Sequence, residues 1–488
     1  MQRRSETRFE TVIGLEVHAQ LLTRSKMYCG CSARYADAPP NTHVCAVCGG
    51  FPGALPVINR AAVEFCVLTG LALDCEIPGF SKLDRKNYVY PDLPKGYQIS
   101  QYDLPLCVNG ALTFVSGGET KRAGITRVHI EEDTGRLLHR TLSPGEDVTL
   151  IDLNRSGVPL MEIVGEPDLR SPEEARDYLV ALRQTLRYIG ASTGNMEEGA
   201  FRCDANVSIR ETGAPLGAKV EIKNMNSFNA VLRALRFEEE RQRGVLAAGD
   251  TIPQETRGWL EDRGVTVSQR TKEQAHDYRY FPEPDLPPLA VSAGMVDAIR
   301  SRLPELPAAR RHRLVDRYDL DEALVEQLTI EREVADVFEA ALEADASTEA
   351  ARAAANWIVN DLMGLQRTRG LRPEQLPLDG DQLCDLLRVI AAGELTTRAA
   401  KELLPQIGEG ELPRAVAARL NLLALDDEAA VRTAVAETLA ALPAAAADYR
   451  AGKTAAIGRL IGETIKRTGG RAKPDQVRRL LEETLRQA

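Results

Sequence analysis

Two hydrophobic periods divide the chain. Up to about residue 294, apolar and polar positions alternate in short runs such as Thr-Arg-Val-His-Ile-Glu (126–131) and Lys-Val-Glu-Ile-Lys (219–223). Alternation of that kind is the mark of strands. A helical period interrupts them after Ser171-Pro172-Glu173-Glu174. This run supplies an N-cap, a proline at the first helical position and early acidic residues, and it predicts a helix through Leu186. The segment 1–294 therefore reads as α+β. A proline-rich run, Phe-Pro-Glu-Pro-Asp-Leu-Pro-Pro (281–288), precedes a change to Ala, Leu, Glu and Arg at helical spacing. A domain boundary is expected near 294. A second is expected at 405–415, where Pro405, Gly408, Gly410 and Pro413 cluster. The predicted layout is an α+β domain over 1–294, an all-α domain over 295–415 and a small helical tail over 416–488. The alanine-rich stretches 351–355 and 440–447 read as helix and its connections, because apolar residues continue at helical spacing around them.

Composition narrows the class. With 44% hydrophobic and 27% charged residues in 488, the chain can bury substantial cores and is not extended disorder. It contains no run of about 20 apolar residues able to cross a bilayer, and the basic start Met-Gln-Arg-Arg has no apolar stretch behind it. A cytoplasmic location without membrane contact is expected. The net charge of −10 means that contact with a nucleic acid would have to be local. Nine cysteines, four of them within 29–48, suit a metal site in a reducing compartment better than a disulfide framework. The scattered Cys66, Cys75, Cys107, Cys203 and Cys384 read as buried free thiols.

Three constellations carry chemistry. Cys29-Gly-Cys31 and Cys45-Ala-Val-Cys48 supply four thiolates, with glycines at 30, 49 and 50 where the chain must turn, and point to a structural zinc knuckle. His43 is a spare donor. The second constellation is acidic: Glu16 and His18 share one face of a strand, as do His129 and Glu131, while Ile130 and Glu132 share the other. With Glu197, Glu198 and Asp204, these carboxylates either hold a hard divalent ion such as Mg²⁺ beside ATP phosphates or line solvated strand edges, and pattern alone leaves both readings open. The third is the rigid basic and aromatic segment 81–101, which suits a phosphate, a nucleotide terminus or a polar channel, or is an ordinary basic surface loop. Gly452-Lys453-Thr454 is not a P-loop, since Ala447 stands where that motif needs glycine. Nor is there a Gly-x-Ser-x-Gly elbow for making ammonia.

Taken together, long stretches resemble the GatB family over essentially the whole chain: Ile-Gly-Leu-Glu-Val-His (13–18), the cysteine knuckle, residues 85–101, His-Ile-Glu-Glu-Asp (129–133), residues 152–164, Met-Glu-Glu-Gly (196–199), Arg-Cys-Asp-Ala-Asn-Val-Ser (202–208) and residues 221–228. The tail, with Lys453-Thr-Ala-Ala-Ile-Gly458 and Lys473-Pro474, is similar to the family's small helical domain, shared with YqeY proteins. The resemblance implies a mixed-sheet, cradle-like catalytic domain followed by a helical domain and a tail that grip tRNA. It implies partners in a heterotrimer: an amidase that makes ammonia from glutamine, and a small third subunit. It implies ATP-dependent conversion of Glu-tRNA(Gln), Asp-tRNA(Asn) or both to the amides, with Mg²⁺ and structural Zn²⁺. The implied metal and phosphate-handling residues are Glu16, His18, Glu132 and Asp204, with Glu131 and Glu162 beside them. Lys86, Tyr88 and Lys95 match an ammonia exit, and Lys466, Arg467 and Lys473 are candidates for tRNA contact. The rival readings are a non-catalytic tRNA-binding scaffold for an amidase and, explaining only the cysteines, a zinc-ribbon RNA-modifying enzyme.

Overall fold

The computed structural model describes residues 9–143, 145–271, 278–424 and 428–487. It contains two compact units, Met1–Leu306 and Pro307–Ala488. In the first, the order is β1 (Phe9–Gln20), α1 (Arg60–Ala72), β2 (Phe80–Ser81), β3 (Asp84–Asn87), β4 (Tyr97–Ser100), β5 (Cys107–Ser116), β6 (Glu119–Glu132), β7 (Arg136–Ser143), β8 (Glu146–Asp152) and β9 (Pro159–Gly165). There follow α2 (Pro172–Tyr188), β10 (Phe201–Glu211), β11 (Val220–Lys223), α3 (Phe228–Ala247), β12 (Glu255–Leu260), β13 (Val265–Thr271), β14 (Phe281–Pro282), β15 (Leu289–Ala290) and α4 (Ala293–Arg300).

An eight-stranded sheet in the order β13-β12-β11-β10-β1-β9-β6-β5 forms its centre. All its pairs are antiparallel except β11 with β12, so the sheet is mixed and the α+β expectation holds. The alternation along β1 decides its two faces. Ile13, Leu15, Val17 and Ala19 are buried in one core with Val67 of α1, Leu182 of α2 and Leu235 of α3. Glu16 and His18 therefore point away from the helices. The predicted start of α2 is realised, with the Ser171 hydroxyl accepting from the Glu174 N–H at 3.1 Å. At Gly70 of α1 a Cβ would fall on Cys107 Sγ of β5, so only glycine lets the helix lie that close to the sheet.

The proline-rich run packs into the first unit. Phe281 pairs with Arg85 across β14 and β3, Leu289 pairs with Ser81 across β15 and β2, and Leu286 and Val291 are buried. Arg85 makes a two-pronged bond to Glu283, Nε to Oε2 at 2.7 Å and Nη2 to Oε1 at 2.8 Å. Ile299 of α4, with Leu303 and Leu306 after it, joins the same core, so the first unit runs past 294 to Leu306.

The second unit is helical. One core gathers Leu314, Phe338, Leu383, Leu403 and Val416, and another gathers Val431, Leu460, Val477 and Leu481. The helix Pro413–Arg419 contributes Val416 and Ala417 to the former, and Leu422 and Leu423 pack on it as well. The change of core falls after Leu423. No helix among the described residues is long and apolar enough to cross a membrane.

Candidate active site

Strand register assembles a row of charged side chains on the sheet face opposite the helices. Glu162 of β9 lies directly between His18 of β1 and His129 of β6, and Arg202 of β10 lies opposite His18. One turn of the pleat away, Asp204 faces Glu16. Glu162 Oε2 is 3.4 Å from Nε2 of both His18 and His129, and His18 Nε2 is 3.6 Å from Glu131 and 3.9 Å from Glu16. These groups open into a cavity of about 500 Å³, where Lys86, Arg127, Arg202, Lys219 and Lys223 supply positive charge.

The charges set one another. Burial opposes a charged imidazole, but Glu162, Glu131 and Glu16 outweigh it and raise His18 to about 9. Burial likewise opposes ionisation of Glu162, yet His129 and His18 hold it well below the usual carboxylate range. Glu16 is shifted upward, by burial first and then by Glu162. Lys86, half-buried, stays charged because Glu131 and Glu162 outweigh its loss of water.

Two overlapping groups, Glu16–His18–Glu162 and His129–Glu131–Glu162, place donor atoms within 4.8 Å of one another. Carboxylate-rich donors of this kind fit a hard divalent ion, and the Nδ1 of His129 is buried without a hydrogen-bond partner among the described residues. Asp204 shares the cavity, where its carboxylate is held by Lys223. Glu132 does not share it. Alternation turns it to the face of Ile130, where Lys95 Nζ contacts both its oxygens at 2.5 Å and the Ile99 N–H donates at 3.0 Å. Lys86 and Tyr88 line the cavity, and Lys95 lies with Glu132 instead. Gln98 stands between the two places: it accepts from the Tyr88 hydroxyl at 3.0 Å and donates to the Glu132 carbonyl at 2.5 Å.

The four cysteines converge, with Cys48 Sγ 3.9 Å from Cys45 Sγ and 4.0 Å from Cys31 Sγ, and all four sulfurs within 4.8 Å of one another. A tetrahedral ion with bonds of about 2.3 Å to sulfur requires edges of about 3.8 Å, so the set fits. Hydrogen bonding from Cys29 outweighs burial and, with the Cys45 N–H and Lys26, lowers the Cys48 thiol to about 4. Lys26 is fully buried, 3.5 Å from Cys48 Sγ, 2.7 Å from the His43 carbonyl and 3.3 Å from that of Leu153. His43 itself stays outside the cluster. In the second unit, Arg467 is paired with Glu463 at 3.0 Å and Glu437 at 3.6 Å, Lys466 is exposed and Lys473 is half-buried.

Sequence reasoning missed Lys26, Arg127, Lys219, Lys223, Tyr278 and Tyr280. Spacing by two offered a signal for some, since Arg202 with Asp204, Glu221 with Lys223 and Tyr278 with Tyr280 each fall on one face of an extended chain. Nothing in the pattern marks Lys26.

Residues 11–297 match the GatB/GatE catalytic domain, and residues 336–485 match the GatB domain. The B subunit of the aspartyl/glutamyl-tRNA(Asn/Gln) amidotransferase of Thermomicrobium roseum is 58% identical over 481 residues, covering 98% of this chain and 99% of that one. The protein of the same name from Dehalococcoides mccartyi (strain CBDB1) is 50% identical over 98% of this chain and 99% of its own, and that of Moorella thermoacetica is 50% identical over 98% and 100%. With both domain matches in order and identities of one half or more over nearly its whole length, this chain belongs to the GatB family of aspartyl/glutamyl-tRNA amidotransferase B subunits.

Proposed function

We propose that this chain uses ATP to activate the side-chain carboxylate of glutamate on tRNA(Gln), or of aspartate on tRNA(Asn), and then converts it to the amide. The observation that carries this reading is the row Arg202–His18–Glu162–His129, flanked by Glu16, Asp204 and Glu131, in one cavity of a GatB family member. Glu16, His18, Glu162 and Glu131 would hold Mg²⁺, which when bound neutralises phosphate charge. Arg127, Arg202, Lys86, Lys219 and Lys223 supply further donors toward phosphate oxygens.

The bond changes balance. A carboxylate oxygen of the substrate bonds to the γ-phosphorus as the bond to ADP breaks, giving an acyl phosphate. Ammonia nitrogen then bonds to the acyl carbon, phosphate leaves, and one proton is lost from nitrogen. The departing phosphate takes up that proton, and Glu132, outside the cavity beside Lys95, would take the extra proton of ammonium before ammonia passes by way of Gln98 and Tyr88. The four cysteines would hold a structural Zn²⁺, which when bound ties the turn at 29–31 to the turn at 45–48. A partner amidase supplies the ammonia, a small third protein makes up the heterotrimer, and the tail meets tRNA through Lys466, Arg467 and Lys473 in the cytoplasm.

A scaffold without chemistry would form no ADP. With Mg²⁺ and ATP present, ADP should appear when Glu-tRNA(Gln) is added and not when Gln-tRNA(Gln) is added, and hydroxylamine should trap the activated acid as a hydroxamate. ADP formation indifferent to the attached amino acid, or absent, refutes the proposal.

A further inference from the structure

Five tyrosines form a continuous row at the cavity. Tyr102 and Tyr280 stack with centroids 4.4 Å apart and an interplanar angle of 11°. The row continues edge to face through Tyr278 at 6.1 Å, Tyr88 at 6.0 Å and Tyr90 at 6.5 Å. Four of these rings line the cavity that holds His18 and Glu162, and Lys86 lies 5.1 Å from the centre of the Tyr278 ring. The ends of the row are open: Tyr102 remains 44% exposed in spite of its stack, and Tyr90 is 53% exposed. Core packing explains neither a stacked ring left exposed at Tyr102 nor rings that run from solvent to a charged cavity.

We propose that this row seats the unpaired 3′ end of the acylated tRNA, with successive bases stacked against the rings. The inference rests on the function proposed above and deepens it. The acid to be amidated is esterified to the ribose of the last nucleotide, so its carboxylate reaches Glu16 and Glu131 in a fixed pose only if that nucleotide is fixed. Aromatic faces are the general means of holding unstacked RNA bases, and a cation beside them balances the intervening phosphates. One adenine, as ATP carries, needs a single platform, whereas a row of rings with open ends suits a strand of several bases.

The test measures amide formation from Glu-tRNA(Gln) with free ammonium, varying tRNA and ATP separately, for wild type, Tyr102→Ala, Tyr102→Phe and Tyr90→Ala. Loss of a stacking face should raise the KM for acylated tRNA about tenfold, with the KM for ATP unmoved and the wild-type KM for tRNA restored in Tyr102→Phe. A second arm compares binding of uncharged tRNA with tRNA lacking its last three nucleotides. Wild type should favour the intact form, and the two alanine variants should bind both alike. This arm reads the seat even if no amide forms under any condition, a result that would refute the function and leave the seat standing. An increase in the KM for ATP alone would assign the rings to the nucleotide and overturn the proposal. Equal loss on truncation in wild type and in both alanine variants would make the rings packing only, and would also overturn it.

Discussion

His18 and Glu162 face each other across β1 and β9, Nε2 to Oε2 at 3.4 Å, within the charged row. Their mutual attraction, with Glu131 and Glu16 nearby, outweighs burial and keeps the imidazole protonated in the metal-free chain up to about pH 9. A raised folded-state value stabilises the fold fully below the ordinary histidine pKa of about 6.5, and that contribution disappears as the pH rises through about 9. Histidine-selective NMR of the metal-free chain should show His18 titrating near that value. Glu162→Gln should move it down. A wild-type titration near 6.5 would contradict the arrangement.

The contact between Lys95 and Glu132 is a buried ion pair away from the row. Lys95→Met strands a buried carboxylate, and breaking such a pair costs on the order of 3–5 kcal/mol. Lys95→Met combined with Glu132→Gln removes the stranded charge and should recover part of that loss. Denaturant unfolding of the two variants checks both statements, and equal stabilities would show that Glu132 does not depend on Lys95.

Lys26 ties the cysteine knuckle to the loop at Leu153 through three acceptors. It offsets charge on Cys48 and holds that sulfur in place, as hydrogen-bonding partners around metal ligands do, and their loss typically weakens metal affinity by about 10–100-fold. The purified chain should carry one Zn²⁺. Lys26→Met should release it to a chromogenic chelator faster than wild type, and Cys48→Ala should fail to retain it. Equal release rates for wild type and Lys26→Met would assign Lys26 a packing role alone.

Much of the site could be read from strand alternation. Positions two apart on β1 put Glu16 beside His18, and positions on β6 put His129 with Glu131 and turned Glu132 the other way. That same alternation explains why Glu132, grouped by resemblance with Glu16 and Asp204, lies with Lys95 instead. The placing of Glu162 between two histidines could not be read, because it depends on the register of β9 against both neighbours. The pairing of the proline-rich run could not be read for a related reason. Its anchors, Arg85 with Glu283 and β2 with β15, join residues about two hundred positions apart in the chain, which no local pattern reports. In the helical unit the periodicity showed the class, and Leu404, Ile407, Val416 and Ala417 share one core across the punctuation at 405–415.

Conversion of Glu-tRNA(Gln) to Gln-tRNA(Gln), with ATP, Mg²⁺ and free ammonium in place of an amidase partner, tests the central claim most directly. Wild type should form both amide and ADP. Glu16→Gln, with tRNA binding intact, should form neither, and Glu132→Gln should retain ADP formation while losing amide. Amide formation by Glu16→Gln at the wild-type rate, or its absence from wild type even with the partner proteins added, would contradict the account.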